Sequence, residues 1–534
     1  RQSRILRWVC HMASTGNAYL IGGGIGSLAA AAFLIRDCAL PGESIFIFDK
    51  EARLGGSLDA AGDSNNGYSM RGGRMLTSDN YECTWDLFKT IPSLSSPGQS
   101  VYDETLEFNK KYQSHSRARL VDRGRGIVPV NSMGFSMHDR ESLLKLMCAD
   151  EDSMGRTRVT DWFAPAFFAT NFWFIWATTF AFEPWHSAVE LRRYLHRFIL
   201  EFSRIDTLAG VKRTIYNQYD SLVRPLNAWL EAHGVHFLMD SDVTALDQQD
   251  EGGEVVITGI DYQRYGRSQK TPVKGGDVVL LQNGSMTDSS SIGSMTQAPA
   301  QRVKSVGGGW SLWESLARGR PHFGNPPVFN SRVSESWWGS FTVTLQDPAF
   351  FDAMCEFSGN EAGTGGLVTF RDSNWLLSIV LPHQPHFMNQ SANSQVFWGY
   401  SLFGDRIGNF LAKPMADCTG ADILKELSGH LRFDWSVFKS ANCIPCRMPY
   451  ITSMFMPRVR TDRPLPVPTH SKNLAFISQF VEIPQDVVFT VEYSIRAAQM
   501  AVYQLFNVQR AIPAITAHDK AWRTKLEAVI KAFE

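Results

Sequence analysis

The chain opens with apolar and polar positions in distinct blocks. Residues 17–21 form a short apolar run that Gly22, Gly23 and Gly24 bring to a stop. An alanine-rich stretch over 25–36 has the continuous apolar character of a buried helix, and 44–48 reads as a second strand. Strand, glycine turn, helix and strand make a βαβ unit. The pattern returns far downstream. A helix over 219–233 leads through Gly234 to a strand at 235–240, and "VTALDQ", "GEVVITGIDYQ" and 277–285 read as further strands. Near the end, 473–480 reads as a strand and 491–506 as a helix.

Such scattered pieces predict an α/β fold. One discontinuous Rossmann-like domain is interrupted by inserted helix-rich and α+β substrate domains. The nucleotide domain takes 17–84, 211–304 and 446–510. The helix-rich insert takes 85–210, the mixed insert 305–445 and a helical tail 511–534. "SSSIGSMTQAPA", 289–300, is polar and linker-like. Residues 162–182 carry no charge and are long enough to span a bilayer. Asp161 and Glu183 flank them, and Pro165 and Asn171 interrupt them, so buried helices are expected.

Composition narrows the function. In 534 residues, 52 Lys and Arg balance 53 Asp and Glu, which argues against a nucleic-acid partner. The 35 Phe and 15 Trp fit a large apolar interior or a long apolar pocket. Of eight cysteines only Cys443 and Cys446 form a C-x-x-C pair, with no second pair or close histidines, so no metal site is expected. No signal peptide is recognisable, and a cytoplasmic location is expected. "RQSRILRWVCHM", 1–12, is basic and patternless and is set aside.

Gly22-Gly23-Gly24-Ile25-Gly26-Ser27 has the form of a dinucleotide cradle. Gly22, Gly24 and Gly26 allow the turn and the approach of a pyrophosphate to the helix N-terminus, with Ser27 as a small substitute for the last glycine. Asp49, or neighbouring Glu51, is placed for ribose hydroxyls. The bland alternative is a tight turn that only packs. "EARLGGSLDAAG", 51–62, resembles the FAD-binding oxidoreductase superfamily, and its Gly56 and Ser57 favour FAD over NAD.

"RGGRML" (71–76), "YECTWDLFKTIPSL" (81–94), "NFWFIWATTFAFEPWHSAVELRRYLHRF" (171–198), "YNQYDSLVRPL" (216–226), "LQNGSMTDSSSIGS" (281–294), "HQPHF" (383–387) and "SQFVEIPQDVVFTVEYSIRAAQMAVYQL" (478–505) follow in order along the chain. Together they resemble the oleate hydratase family, FAD-dependent fatty acid hydratases also called the myosin-cross-reactive antigen family. The resemblance implies addition of water to the cis-9 double bond of oleate, giving 10-hydroxystearate. FAD then has a structural and electrostatic role and acts best when reduced. Tyr194 in "RRY" matches the family's proton donor. The family's water-activating glutamate falls on Met75, a departure, because a thioether accepts no proton at neutral pH. Glu82 is the nearest carboxylate in sequence and reads as structural.

The same resemblance gives Gln218 and His386 to the substrate carboxylate. The family's Thr and Asn upstream of that histidine fall on Val380 and Pro382. Arg71, Gly72, Gly73 and Arg74 would lie between flavin and substrate. Asn283, Ser285 and Phe480, with Val481 and Glu482 after it, would lie beside the flavin. The expected partner is a long-chain unsaturated fatty acid, and peripheral contact with a membrane is compatible with it. Family homodimers often use an N-terminal arm; with sixteen residues ahead of the first strand, a monomer is favoured here. Two rival functions stay open: a redox flavoenzyme of the amine oxidase kind, and a non-catalytic FAD-containing fatty-acid binder.

Overall fold

A computed structural model describes residues 16–534. The basic segment 1–12 lies outside the described residues. Among those described, a five-stranded parallel sheet runs in the order Leu474–Phe476, Val278–Leu281, Ala18–Ile21, Ile45–Phe48, His236–Leu238. The first strand sits in the middle. The chain adds strands first on one side of it and later on the other, which leaves a crevice at the carboxyl end of Ala18–Ile21. All four residues of that strand are buried, as a strand covered on both faces requires. The helix Ile25–Cys38 packs on the helix Val491–Leu505, so the two ends of the chain share one core.

Several elements are shorter than their patterns suggest. The strand read at 473–480 ends at Phe476, and the one at 277–285 ends at Leu281. Beyond these ends Gln282, Ser285, Ser478 and Gln479 line the crevice. The helix read at 219–233 begins as a π-turn, Tyr219–Val223, and becomes α-helical only at Arg224–Ala232. Pro225 has no N–H to donate, and the turn before it widens.

The two inserts meet in one mixed eight-stranded sheet. Leu120–Val121 pairs in parallel with Leu367–Phe370, and Trp338–Leu345 lies between Gln395–Ser401 and Asn442–Met448. The stretch read as a linker supplies Ser291–Ile292 to the edge of this sheet, against Cys446 and Arg447. Residues 162–182 fold as a 3-10 turn, Pro165–Ala169, and a helix, Asn171–Phe180, that Thr170 caps. No helix among the described residues is long and apolar enough to cross a membrane. Cys443 and Cys446 are buried on a strand, and the described residues hold no metal-ligating cluster.

Candidate functional site

Two cavities adjoin at the crevice. The first is the dinucleotide cradle. Gly22 N–H donates to Phe48 O at 2.8 Å. Gly23 N–H donates to Asp49 Oδ2 at 2.5 Å, and Glu51 N–H to Asp49 Oδ1 at 2.7 Å. Both Asp49 oxygens thus brace the turn. Burial pushes the Asp49 carboxyl up to about 6, against those two N–H bonds. Glu51 is exposed and lines the cavity, and no described residue bonds its carboxylate. Of the two, Glu51 is therefore the one open to a ribose.

The helix Ile25–Cys38 begins at Gly24 with no side-chain cap and no acidic residue in its first turn. Its free N–H groups and positive end face the cavity, an environment suited to a diphosphate. Gly56, Ser57, Arg71, Ser285 and Phe480 line the same space.

Of the residues read as cofactor contacts, Gly72 and Gly73 line the second cavity instead, and Gly26, Ser27 and Asn283 line neither. A Cβ on Gly26 would lie 2.5 Å from Ile477 O, so this glycine serves helix-to-strand packing. Ser27 Oγ accepts from Gln282 Nε2 at 2.9 Å, and it is Gln282 that lines the cavity. Asn283 is fully buried; its amide donates to Phe480 O at 3.2 Å and its Oδ1 accepts from Ser478. It ties two strand ends together. Glu482 is likewise inside, paired with Arg193 at 2.5 Å.

The second cavity gathers Gly72, Gly73, Met75, Tyr194, Gln218 and His386, drawn from four distant stretches of the chain. Arg74, Phe489 and Thr490 line both cavities and form their common wall. A Cβ on Gly73 would lie 2.8 Å from the Trp398 ring, which is why the loop carries glycine there. Arg74 is buried without a carboxylate partner. Its guanidinium lies 4.8 Å from the Phe489 ring centre, and Nη2 has no hydrogen-bond partner. Burial lowers its pKa to about 10, so it stays charged at neutral pH. Phe489 has φ +67°, a rare conformation for a bulky residue and one that turns its ring under Arg74.

Tyr194 stands on the helix Ala188–Arg197, which Ser187 caps. Phe180, Phe182 and Phe198 surround its ring at centroid distances of 5.3, 4.9 and 5.4 Å. Its hydroxyl donates to Val488 O. Burial holds the phenol well above its ordinary pKa, with Tyr81, Glu190 and Asp486 adding to the rise and Arg74 opposing it. The two arginines beside it fasten the helix to the loop that carries Val488: Arg193 to Glu482, and Arg197 to Asp486 at 3.1 Å.

Met75 leaves the RGGR loop without a carboxylate. Glu82 does not line the cavity. It pairs with Arg197 at 2.6 Å and Arg496 at 3.0 Å, a structural role. Among the described residues, Glu201 is the one acidic side chain that lines this cavity, and it pairs with Arg204 at 2.6 Å. Gln218 is committed to the loop. Its Oε1 accepts from Arg74 N–H at 3.1 Å, and its Nε2 donates to Arg74 O. His386 presents an unbonded Nε2, and burial lowers its pKa to about 3, so the ring is neutral. Val380 and Pro382 line the cavity too.

The MCRA family model matches residues 15–503. The chain belongs to the MCRA family. Across this family the chain is 39% identical over 510 residues to a protein named oleate hydratase from Streptococcus pyogenes serotype M49 (strain NZ131), covering 93% of this chain and 86% of that one. It is 33% identical over 560 residues to a linoleate hydratase from Lactiplantibacillus plantarum, covering 97% of this chain and 98% of that one. Among solved structures it shares its fold with cyclohexylamine oxidase from Brevibacterium oxydans IH-35A. The TM-score is 0.52 at 12% identity, over 92% of this chain and 99% of that one.

Sequence reading of this MCRA chain missed Gln282, Phe489 and Thr490 in the cradle wall, and Trp338, Trp398 and Tyr400 in the second cavity. Gln282, Phe489 and Thr490 lay within quoted motifs without being singled out. The three aromatic residues sit on strands of the mixed insert, where they read as ordinary core.

Proposed function

We propose that this chain adds water across the cis-9 double bond of oleate to give 10-hydroxystearate, with FAD in a non-redox role. The observation that carries the reading is the shared wall. A buried phenol and an unpaired buried cation line one aromatic-walled cavity, and that same cation lines a dinucleotide cradle.

The cradle fits FAD. The helix N-terminus at Gly24 and the glycines of the "RLGG" turn would take the diphosphate, Glu51 the ribose, and Arg71, Arg74, Ser285 and Phe480 the ring side. The orphaned Nη2 of Arg74 is a donor awaiting such a partner. Bound FAD, in its reduced and anionic form, supplies negative charge beside the cation that forms on the alkene.

In this reading Tyr194 Oη gives its proton to C9. The positive charge appears at C10, where water adds. The resulting protonated alcohol is a strong acid and returns a proton to the Tyr194 oxygen, so no strong base is required at Met75. Arg74 stabilises the transient phenolate. The buried aromatic wall keeps the pocket dry apart from the reacting water.

Peripheral membrane contact finds support in the helix Trp522–Phe533. Trp522 is 76% and Phe533 60% exposed, with Leu526, Val529 and Ile530 on the same face. This helix packs beside Ile199–Phe202, next to the cavity wall at Phe198.

The test is product analysis from oleate with protein, FAD and a reductant in ¹⁸O-labelled water under anaerobic conditions. The expected product is 10-hydroxystearate carrying one solvent oxygen. A parallel reaction in air without the reductant that gives an oxidised product and consumes oxygen would replace this reading with redox chemistry. Tight oleate binding without any product would replace it with a carrier.

A further inference from the structure

The second cavity contains a cation that the site described so far does not use. Arg213 lines it, in the loop that follows the helix Ile199–Phe202. Its Nη1 donates to Gly363 O at 2.9 Å. Its backbone is fixed on both sides by Asn109, which takes the N–H at 2.9 Å and donates to the carbonyl at 2.7 Å. No carboxylate among the described residues pairs with the guanidinium, and its Nη2 makes no protein hydrogen bond. Arg213 is half-buried, and a cation partly withdrawn from water on a mostly apolar wall is costly unless something anionic meets it.

The surroundings select the anion. Gly363, whose carbonyl holds Arg213, lies against His383: a Cβ on that glycine would be 2.8 Å from the His383 Cβ. His383 and His386 belong to one loop and both line the cavity. The unbonded Nε2 of His386 adds a neutral polar atom to this part of the wall. Most of the remaining wall is apolar or aromatic, with threonine, serine and amide side chains between. A single monovalent head on a long apolar body matches this arrangement; the cavity's other cation, Arg74, belongs to the wall shared with the cradle.

The residues that resemblance assigns to the headgroup cannot supply charge here. Gln218 has both amide ends on Arg74, Val380 and Pro382 have no side-chain donor, and burial keeps His386 neutral. We propose that Arg213 is the carboxylate anchor of the substrate cavity, pairing with the fatty acid head while the chain runs along the aromatic wall toward Tyr194. The inference rests on the fatty-acid reading of this cavity and adds to it the residue that sets preference for an ionised head.

The experiment compares binding of oleate and of oleyl alcohol, which has the same tail and no charge, to the FAD-loaded protein by titration calorimetry. Arg213→Gln should weaken oleate binding about 10- to 100-fold, the worth of one charge-assisted pair, and leave oleyl alcohol unchanged. Arg213→Lys should recover part of the loss. With saturating oleate, turnover of Arg213→Gln should stay close to the parent's while KM rises. Equal weakening of both ligands would mean that the substitution only loosens the Gly363 contact, and would overturn the assignment. Unchanged oleate affinity would overturn it as well. Failure of the hydration reading is separate: the parent would then bind oleate through Arg213 and yield no hydroxy acid.

Discussion

Gln218 grips Arg74 by its backbone, accepting from the N–H at 3.1 Å and donating to the carbonyl of the same residue. A side-chain amide used this way acts as one more rung of sheet. It fixes where the RGGR loop crosses between the two cavities. Gln218→Glu cannot donate to the carbonyl and brings a carboxylate against the carbonyl of Arg74. The variant should fold, bind FAD more weakly and turn over at least ~10-fold more slowly, from loss of about one hydrogen bond at a positioned loop. Oleate affinity should change little, because both ends of the Gln218 amide are bonded to the Arg74 backbone. A normal FAD affinity measured by flavin fluorescence, together with a large loss of oleate affinity, would show instead that Gln218 meets the headgroup.

Tyr194→Phe removes the proposed proton donor. The expected loss in hydration is about 10²–10⁴-fold, the usual worth of a positioned general acid. The change also leaves Val488 O without its partner, at a cost of roughly 1–3 kcal/mol. Thermal melting should therefore shift down modestly while FAD still binds. Near-parental turnover would remove Tyr194 from the mechanism.

Much of this was written in the chain, and the part that was not has a physical reason. The βαβ unit and the cradle are local, because a glycine turn between a strand and a helix constrains only its neighbours. Asp49 and Glu51 could not be told apart from sequence, since the choice depends on which carboxylate the turn uses for its own N–H groups. The resemblance gave Gln218 to the substrate carboxylate; its attachment to Arg74 joins positions 144 apart and was not legible. Arg213 reads as one cation among 52; only the absence of a carboxylate around it in the fold singles it out. Glu82 could be set aside on its pattern, and its arginine partners at 197 and 496 explain why.

Acid should unfold the protein through the buried carboxylates that clamp the Tyr194 helix. Burial raises the Glu82 carboxyl, but the Arg197 guanidinium outweighs it and holds the group at about 2. Burial also raises Glu190, and Arg458 and Arg463 bring it down to about 2. Each has a folded pKa below the ordinary 4.5. Their stabilisation is complete above that value and is lost as pH falls from there toward about 2. Asp49 has the opposite sign. Its folded value near 6 lies above the ordinary 3.8, so ionising it removes a little stability as pH rises between the two. Chemical denaturation followed by circular dichroism should show stability falling steeply below pH 4.5, and Glu82→Gln should flatten that limb while lowering stability at neutral pH. An acid limb identical in the variant would remove Glu82 from the clamp.

Met75→Glu tests whether the loop merely lacks a base. The methionine side chain is half-buried on the cavity wall. The Tyr81 hydroxyl donates to the carbonyl of Met75 itself at 2.7 Å, and the Arg74 guanidinium lies over Phe489. A carboxylate introduced here replaces a side chain that packs against the apolar core. Its pKa should rise, and its ionised form should cost about 2 kcal/mol or more. Because a raised pKa removes stability as pH climbs through it, melting of the variant should fall below the parent's at pH 7 and approach it at pH 5. Turnover should be no faster than the parent's, since the proton released after water adds needs only the Tyr194 oxygen. A clear gain in hydration with an unchanged melting temperature would show that the pocket kept its place for a carboxylate, and that proton transfer to Tyr194 is the slow route.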